Sequence, residues 1–145
     1  MSADTVQSDV LIIGCGIAGA VTALRLAEDP ALNITVITSA ADPLESNTFY
    51  AQGGIIAAGV QDSPELLAKD LIAAGDGLNN RRAVRVLATQ GPRLVEEVLV
   101  KRLGVPFARS HGDQLEYIRE AAHSTERILH AADATGRAIQ TRLIE

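Results

Sequence analysis

A glycine-rich segment near the start of the sequence has the residue types and spacing of a phosphate-binding loop. It fits the pattern G-x-G-x-x-G and consists of Gly14, Cys15, Gly16, Ile17, Ala18 and Gly19. Gly14 permits a tight turn, Gly16 lets the backbone approach a diphosphate, and Gly19 lets a helix pack closely on a strand. The free N–H groups and the positive dipole end of that helix would bind the anion. The segment predicts a dinucleotide site; the alternative is a structural glycine turn.

The flanking residues predict the strands and the helix that such a loop needs. Residues 9–13, DVLII, predict a strand buried on both faces, and residues 17–27 predict a helix that ends before Pro30. Residues 34–38, ITVIT, predict a second buried strand, joined to the first by a right-handed crossover. The predicted fold class is therefore α/β, the N-terminal part of a Rossmann-like domain whose sheet is incomplete in this chain.

Two details near the glycines depart from a generic nucleotide site. The chain has one cysteine, so Cys15 has no resolving thiol and is expected to be a small packing residue rather than a redox centre. The second strand of such a site usually ends in an acid that binds a ribose hydroxyl. Here Ser39 and Ala40 occupy that place. The Ser39 hydroxyl would bind ribose more weakly than a carboxylate, and the alternative is a plain turn residue.

Helix start and stop signals divide the middle of the chain. Ser63-Pro64 predicts the start of a helix that stops at Gly75. Asn80 is expected to cap a second helix running through Thr89, which Gly91-Pro92 should break. A further helix should then run to about residue 103 and be closed by Gly104.

Asp133 is expected to cap a last helix with Ile139 and Leu143 on one face. No stop signal follows this helix, and two parallel strands are fewer than a doubly wound sheet needs. The chain, residues 1–145, is therefore expected to be the N-terminal segment of a longer protein, with the rest of the domain and a capping domain lying beyond it.

Residues 46–55, SNTFYAQGGI, carry a more specific signal than the first glycines. Two glycines beside hydroxyl and amide side chains give a loop that can wrap closely around a polar cofactor, and the alternative is a small-residue packing loop. The segment resembles the succinate dehydrogenase, fumarate reductase and L-aspartate oxidase flavoprotein family, in which it lies along FAD near the flavin ring. The resemblance implies cofactor contacts from Asn47, Thr48, Phe49, Tyr50, Ala51, Gln52, Gly53 and Gly54.

The same segment indicates a branch of that family. Succinate dehydrogenase flavoproteins carry a histidine before the threonine, and this histidine bonds covalently to FAD. Asn47 stands at the matching position, so the resemblance implies that FAD is held noncovalently. The Phe49-Tyr50 pair resembles the L-aspartate oxidase branch.

Residues 119–124, REAAHS, and 127–136, RILHAADATG, are similar to the signature REGGHS…RILHAADATG of that branch. Ala121 and Ala122 replace two glycines that are usual in this signature. By resemblance, Glu120 is the substrate-orienting acid, because a buried carboxylate favours the α-ammonium group that distinguishes L-aspartate from succinate. The alternative is a surface ion pair of Glu120 with Arg119 or Arg127.

The resemblance implies the FAD-binding domain of the glutathione-reductase type. The reaction it implies is FAD-dependent oxidation of L-aspartate to iminoaspartate, with oxygen or fumarate as acceptor. This is the first step of de novo NAD biosynthesis and makes quinolinate synthase a candidate partner. The remaining catalytic residues would lie beyond the chain, which alone should be inactive. The alternatives are a soluble fumarate reductase or succinate dehydrogenase flavoprotein, and a non-catalytic dinucleotide-binding module.

Composition limits the other partners. The net charge of −5 and the absence of a Lys/Arg cluster argue against nucleic acid and anionic membranes. No apolar run approaches the roughly 20 residues of a membrane span, and Met1–Ser8 lacks the features of a secretory signal. A single cysteine suits the cytoplasm. His123 and His130 lack a metal-ligand spacing, so no metal site is expected. His123 should serve in packing or loop hydrogen bonding, and the alternative is a place near the substrate pocket.

Overall fold

The glycine-rich segment joins a strand to a helix, as its sequence requires. A computed structural model describes residues 5–145; the first four residues of the Met1–Ser8 stretch lie outside the described residues. Strand β1 (Val10–Ile13), helix α1 (Ile17–Leu26) and strand β2 (Ile34–Ile37) follow one another. The two strands pair in parallel, with Val10 opposite Ile34. The predicted strand, turn, helix and strand are confirmed.

The prediction that both strands are buried on both faces is wrong for the described residues. Ile12 lies against Gly19 of α1, whereas Leu11 is 54% exposed and Ile13 is 80% exposed. Successive side chains of a strand point to opposite faces, so a helix on one face covers every second residue. Val36 and Ile37 of β2 are also more than 40% exposed, at 41% and 45%. One layer of helix therefore covers this two-stranded sheet.

The two predicted helix caps in the middle of the chain are present. Helix α2 (Pro64–Ala74) begins after Ser63, whose hydroxyl accepts the N–H of Leu66 at 3.1 Å. Helix α3 (Arg81–Leu94) begins after Asn80, whose side-chain oxygen accepts two backbone N–H groups, at 3.0 and 3.1 Å. Gly75 ends α2, as expected.

The predicted break at Gly91-Pro92 is wrong. Helix α3 continues through Pro92 into a π-helical extension (Val95–Arg102), and Gly104, with φ of +59°, follows its end as expected. A proline inside a helix costs about 3 kcal/mol. Val95, Val98 and Leu99 are buried in the core, and burial of each such side chain contributes about 1.5–3 kcal/mol. The free energy gained by packing these side chains therefore outweighs the helix-breaking effect of Pro92.

The second half of the chain returns to the first through a short sheet and a helix. Strand β3 (Ile55–Ile56) pairs antiparallel with β4 (Ile128–Leu129), which the sequence had not predicted. Helix α4 (Thr135–Ile144) packs on α1 and buries Ile139 and Leu143, as predicted. Within residues 5–145, no helix is both long and apolar enough to cross a membrane.

Asp133 does not cap α4. The residue before the helix is Ala134, and no side chain caps it. The Thr135 hydroxyl instead accepts the N–H of Ala131 at 3.0 Å, while Asp133 is exposed. The positive φ of Ala132, +47°, turns the chain before the helix. The expected capping geometry is therefore replaced by a local turn.

Replacing Ala122 with glycine should stabilise the folded protein. Its φ is +67°, a left-handed conformation that glycine adopts freely and alanine does not. We expect Ala122→Gly to raise the free energy of unfolding by about 1 kcal/mol, because it relieves this strain. The matched change Ala121→Gly should lower it by about 0.5–1 kcal/mol, since the φ of Ala121 is not positive. Denaturant unfolding of the purified variants would measure both, and equal effects would contradict the strain.

Candidate functional site

The first glycine segment has the geometry of a phosphate-binding turn. Gly14 has φ of +103°, and its N–H donates to the carbonyl of Ile37 at 2.8 Å, which places the turn at the end of β2. A Cβ atom on Gly19 would overlap the carbonyl oxygen of Gly14. Helix α1 therefore approaches the turn as closely as glycine allows.

The N-terminus of α1 keeps backbone donors free. Gly16 precedes the helix without a side-chain cap. The N–H of Ile17 donates to the Thr48 hydroxyl at 3.0 Å, whereas within residues 5–145 the N–H groups of Ala18 and Gly19 meet no acceptor. Unpaired N–H groups at a helix N-terminus favour a phosphate. The local structure therefore fits the diphosphate of a dinucleotide.

The second glycine segment packs directly against the first. Besides the Thr48 hydroxyl bond, the N–H of Gly136 in α4 donates to the Ala51 carbonyl at 2.9 Å. The guanidinium of Arg137 lies 5.2 Å from the centroid of the Phe49 ring, a favourable cation–π distance. The side chains of Asn47, Tyr50 and Gln52 are exposed beside it. Helix α4 thus stabilises this segment through Gly136 and Arg137.

Gln140 is a residue of the site that the sequence analysis missed. Its side chain is fully buried, and its Nε2 donates to the carbonyls of Cys15 and Pro43 at 2.9 and 3.3 Å. A glutamine four residues after Gly136, on the apolar face of α4, was the available signal. The Cys15 thiol donates to the same Pro43 carbonyl at 3.0 Å, and Cys15 is 6% exposed. Cys15 therefore packs, as predicted.

Ser39 and Ala40 follow the end of β2, at the same edge of the sheet as Gly14. The carboxyl ends of parallel strands are where open α/β sheets bind ligands. Ser39 is exposed, and none of the side-chain hydrogen bonds found within residues 5–145 involves its hydroxyl. It is placed to contact a ribose, and this role stays a prediction.

Glu120 is brought to the second glycine segment from 66 residues away. Its Oε1 accepts the N–H of Gly54 at 3.1 Å. A Cβ on Gly54 would overlap the Ile128 side chain, so only glycine fits between this acid and β4. Within residues 5–145 Glu120 forms no ion pair, so the alternative pairing with Arg119 or Arg127 is wrong. Glu120 is exposed, however, and the described residues do not supply the dry surroundings that were expected.

Arg127 lies at the centre of a buried ionic cluster that the sequence did not reveal. Its side chain is fully buried and binds both oxygens of Asp62, each at 2.8 Å. It also binds Asp70 at 2.5 Å and lies 3.0 Å from Nδ1 of His123. Both aspartates are more than 50 residues away in sequence, so no local pattern could predict the pairing. The expected loop hydrogen bond of His123 is confirmed.

The cluster determines the charge state of Asp70. Burial by itself raises the pKa of this carboxyl group, but hydrogen bonds from the Ser124 N–H, Arg127 and the Ser124 hydroxyl lower the pKa from 3.8 to about 2. The pKa of Arg127 is raised: burial lowers it, and the hydrogen bonds and charges of Asp62 and Asp70 more than offset this.

Within the described residues, no group of three or more His, Cys, Asp or Glu side chains could hold a metal ion.

Because of Asp70, the free energy of unfolding should depend on pH in the acid range. Because its pKa is lower in the folded state, its contribution is present above about pH 4 and is lost as the pH falls towards about 2. The shift corresponds to about 2 kcal/mol. We expect Asp70→Asn to lower the free energy of unfolding by about this amount at pH 7, with the difference shrinking below pH 4. Asp76→Asn, an exposed control just after α2, should change little; a pH-independent loss for Asp70→Asn would contradict this account.

Comparison with known proteins agrees with this geometry. The family described as FAD binding domain matches residues 9–145. An L-aspartate oxidase of Halobacterium salinarum is 47% identical over 133 residues, covering 92% of this chain and 25% of that protein. An L-aspartate oxidase of Nostoc sp. is 46% identical over 140 residues, covering 96% of this chain and 23% of that protein.

The fold is also found among solved structures. An E. coli quinol fumarate reductase chain superposes with a TM-score of 0.89 at 30% identity, covering 98% of this chain and 24% of that chain. A Mycobacterium smegmatis Sdh1 structure gives a TM-score of 0.82 at 29% identity, covering 94% and 23%. The chain thus spans about a quarter of the length of the relatives it matches.

Proposed function

The chain belongs to the FAD binding domain family, and from its similarity to L-aspartate oxidases we propose that it forms part of an FAD-dependent L-aspartate oxidase. FAD is its cofactor, and it is a flavoprotein related to the fumarate reductases and succinate dehydrogenases. The proposed reaction is the oxidation of L-aspartate to iminoaspartate. The contact of Glu120 with Gly54 carries the proposal, because it places a carboxylate at the segment that lies near the flavin in the family.

We propose that two segments and the end of β2 contact FAD. The diphosphate would lie at the α1 N-terminus, against Gly14, Cys15, Gly16, Ile17, Ala18 and Gly19. The ribose would lie near Ser39 and Ala40. The remaining contacts would come from Asn47, Thr48, Phe49, Tyr50, Ala51, Gln52, Gly53 and Gly54. Bound FAD supplies the hydride acceptor, while these residues bind and orient it.

Glu120 would select the substrate by charge. Its Oε1 is held by Gly54, while within residues 5–145 its Oε2 has no hydrogen-bond partner and can accept from a ligand. A carboxylate attracts the α-ammonium of L-aspartate, and succinate lacks that group. The rest of the FAD domain and a capping domain would exclude water there, which strengthens the interaction. The remaining substrate ligands would also lie in those parts.

Two observations favour the oxidase over a fumarate reductase or succinate dehydrogenase. Asn47 cannot form the covalent flavin bond of succinate dehydrogenases, so FAD would be bound noncovalently. Glu120 supplies a partner for an amine that succinate does not have. We further propose oxygen or fumarate as the acceptor, quinolinate synthase as the user of the product in NAD biosynthesis, and the cytoplasm as the location, which suits a single buried cysteine.

The proposal predicts that L-aspartate bleaches the flavin of the holoenzyme. Anaerobic addition of L-aspartate to the purified full-length protein should remove its visible flavin absorbance, and readmitted oxygen or added fumarate should restore it. Succinate is the control and should leave the spectrum unchanged. Acid precipitation should release the flavin into the supernatant, because it is noncovalently bound.

Other spectra would support the alternatives. A flavin that succinate bleaches and L-aspartate does not would assign the protein to the fumarate reductase and succinate dehydrogenase branch. A flavin that no dicarboxylate bleaches would favour a non-catalytic dinucleotide-binding module. A protein that holds no flavin, even after added FAD, would contradict the assignment of both glycine segments.

Glu120→Gln should weaken substrate binding more than cofactor binding. The amide keeps the size of the side chain and loses its charge, so the KM for L-aspartate should rise by about tenfold, as expected when a charge-assisted bond of about 1.5–3 kcal/mol becomes neutral. The Kd of FAD should change by less than about twofold. Glu126→Gln, an exposed acid of the same loop, is the control. Steady-state kinetics with an unchanged KM would remove Glu120 from this role.

A further inference from the structure

The loop that carries Glu120 is held at two places, its base and its tip. At its base, the N–H of Ile118 donates to the Ile128 carbonyl at 3.0 Å, and the N–H of Ile128 donates back at 3.1 Å. At its tip, Ser124 donates both its backbone N–H and its hydroxyl to Oδ2 of Asp70, each at 2.8 Å. Glu120 lies between these anchors, so the position of its carboxylate depends on both.

The buried side chain of Arg127 also stabilises the tip of this loop. Its Nη1 donates to the Asp70 oxygen that Ser124 also uses, and it contacts Nδ1 of His123 at 3.0 Å. A guanidinium only donates, so Nδ1 of His123 must accept, and a neutral His123 ring carries its proton on Nε2. The opposite edge of Arg127 is held by Asp62. The tip is therefore fastened by charged groups that cannot move without leaving a buried charge unpaired.

We propose that Asp70 is a positioning residue for Glu120 and thereby sets the affinity for the ammonium group of the substrate. The proposal rests on the proposed role of Glu120. Within residues 5–145, the side chain of Asp70 forms no hydrogen bond or ion pair with either glycine segment or with Glu120; it binds Ser124 directly, and it is linked to His123 through Arg127. Helix α2, which carries Asp70, thus controls a site that it does not line. A displacement of about 1 Å is enough to weaken an oriented contact strongly.

A purely structural role for Asp70 makes a different prediction. A buried ion pair that serves only stability would, when broken, lower the free energy of unfolding and the yield of folded protein. It would leave the KM of the folded fraction unchanged. A positioning role instead raises the KM for L-aspartate, and it does so only while Glu120 is present to be positioned.

A double-mutant cycle in the full-length holoenzyme separates these roles. We expect Asp70→Asn to raise the KM for L-aspartate by about fivefold, a coupling of about 1 kcal/mol, with kcat and the Kd of FAD changed less than about twofold. In a Glu120→Gln background the same change should add almost nothing. The matched control is Asp76→Asn, an exposed aspartate just after α2. Additive effects in the cycle, or an unchanged KM for Asp70→Asn, would overturn the proposal.

Hydrogen exchange of the holoenzyme supplies a readout besides activity. Asp70→Asn should speed amide exchange in residues 119–125 and leave residues 14–19 unchanged, whereas Asp76→Asn should alter neither. Unchanged exchange in residues 119–125 would also overturn the proposal. If exchange accelerates while Glu120→Gln itself leaves the KM unaltered, then Asp70 positions the loop and the assigned role of Glu120 is the part that fails.

Discussion

The hydrogen bond from the N–H of Ile17 to the Thr48 hydroxyl joins the two glycine segments, and the geometry of the site follows from it. Thr48 lies close to residue 16: a Cβ there would be 3.1 Å from the hydroxyl oxygen, so Thr48 would have to shift by a few tenths of an ångström to make room for it. The bond uses one of the free donors of α1 and leaves the next two for a ligand. It also brings the second glycine segment, which we propose to contact the cofactor, to the N-terminus of α1.

Helix α4 stabilises this arrangement from the far end of the chain. The N–H of Gly136 binds the carbonyl of Ala51, and one turn later the Gln140 amide binds the carbonyl of Cys15. Each contact satisfies a backbone acceptor in a loop that has no regular partner of its own, and an unsatisfied buried acceptor costs about 1–3 kcal/mol. The native shape of both glycine segments therefore depends on contacts between residues more than 80 positions apart.

The sequence predicted the parts of the molecule that local chemistry determines. Three kinds of feature depend only on residues within one or two helical turns, and all are confirmed. They are the glycine turn, the helix caps at Ser63 and Asn80, and the apolar face of α4 formed by Ile139 and Leu143. The break expected at Pro92 was wrong, because burial of the following valines outweighs the proline. The cluster around Arg127 was not predicted either, since the two aspartates that bind Arg127 are 57 and 65 residues away. Contacts at that separation leave no periodic pattern to read.

The proposed contacts with the diphosphate are backbone groups, whereas discrimination between substrates would depend on one side chain. Backbone N–H groups bind any diphosphate that reaches them, so the first glycine segment selects the cofactor class and not the reaction. A single carboxylate can distinguish L-aspartate from succinate only if its position is fixed, because a mobile side chain loses the interaction to entropy and solvent. The buried charges around Arg127 resist displacement for the same reason that they are costly to bury. An ionic cluster of this kind contributes less to net stability than apolar packing of equal volume would, but it holds the loop of Glu120 in one geometry.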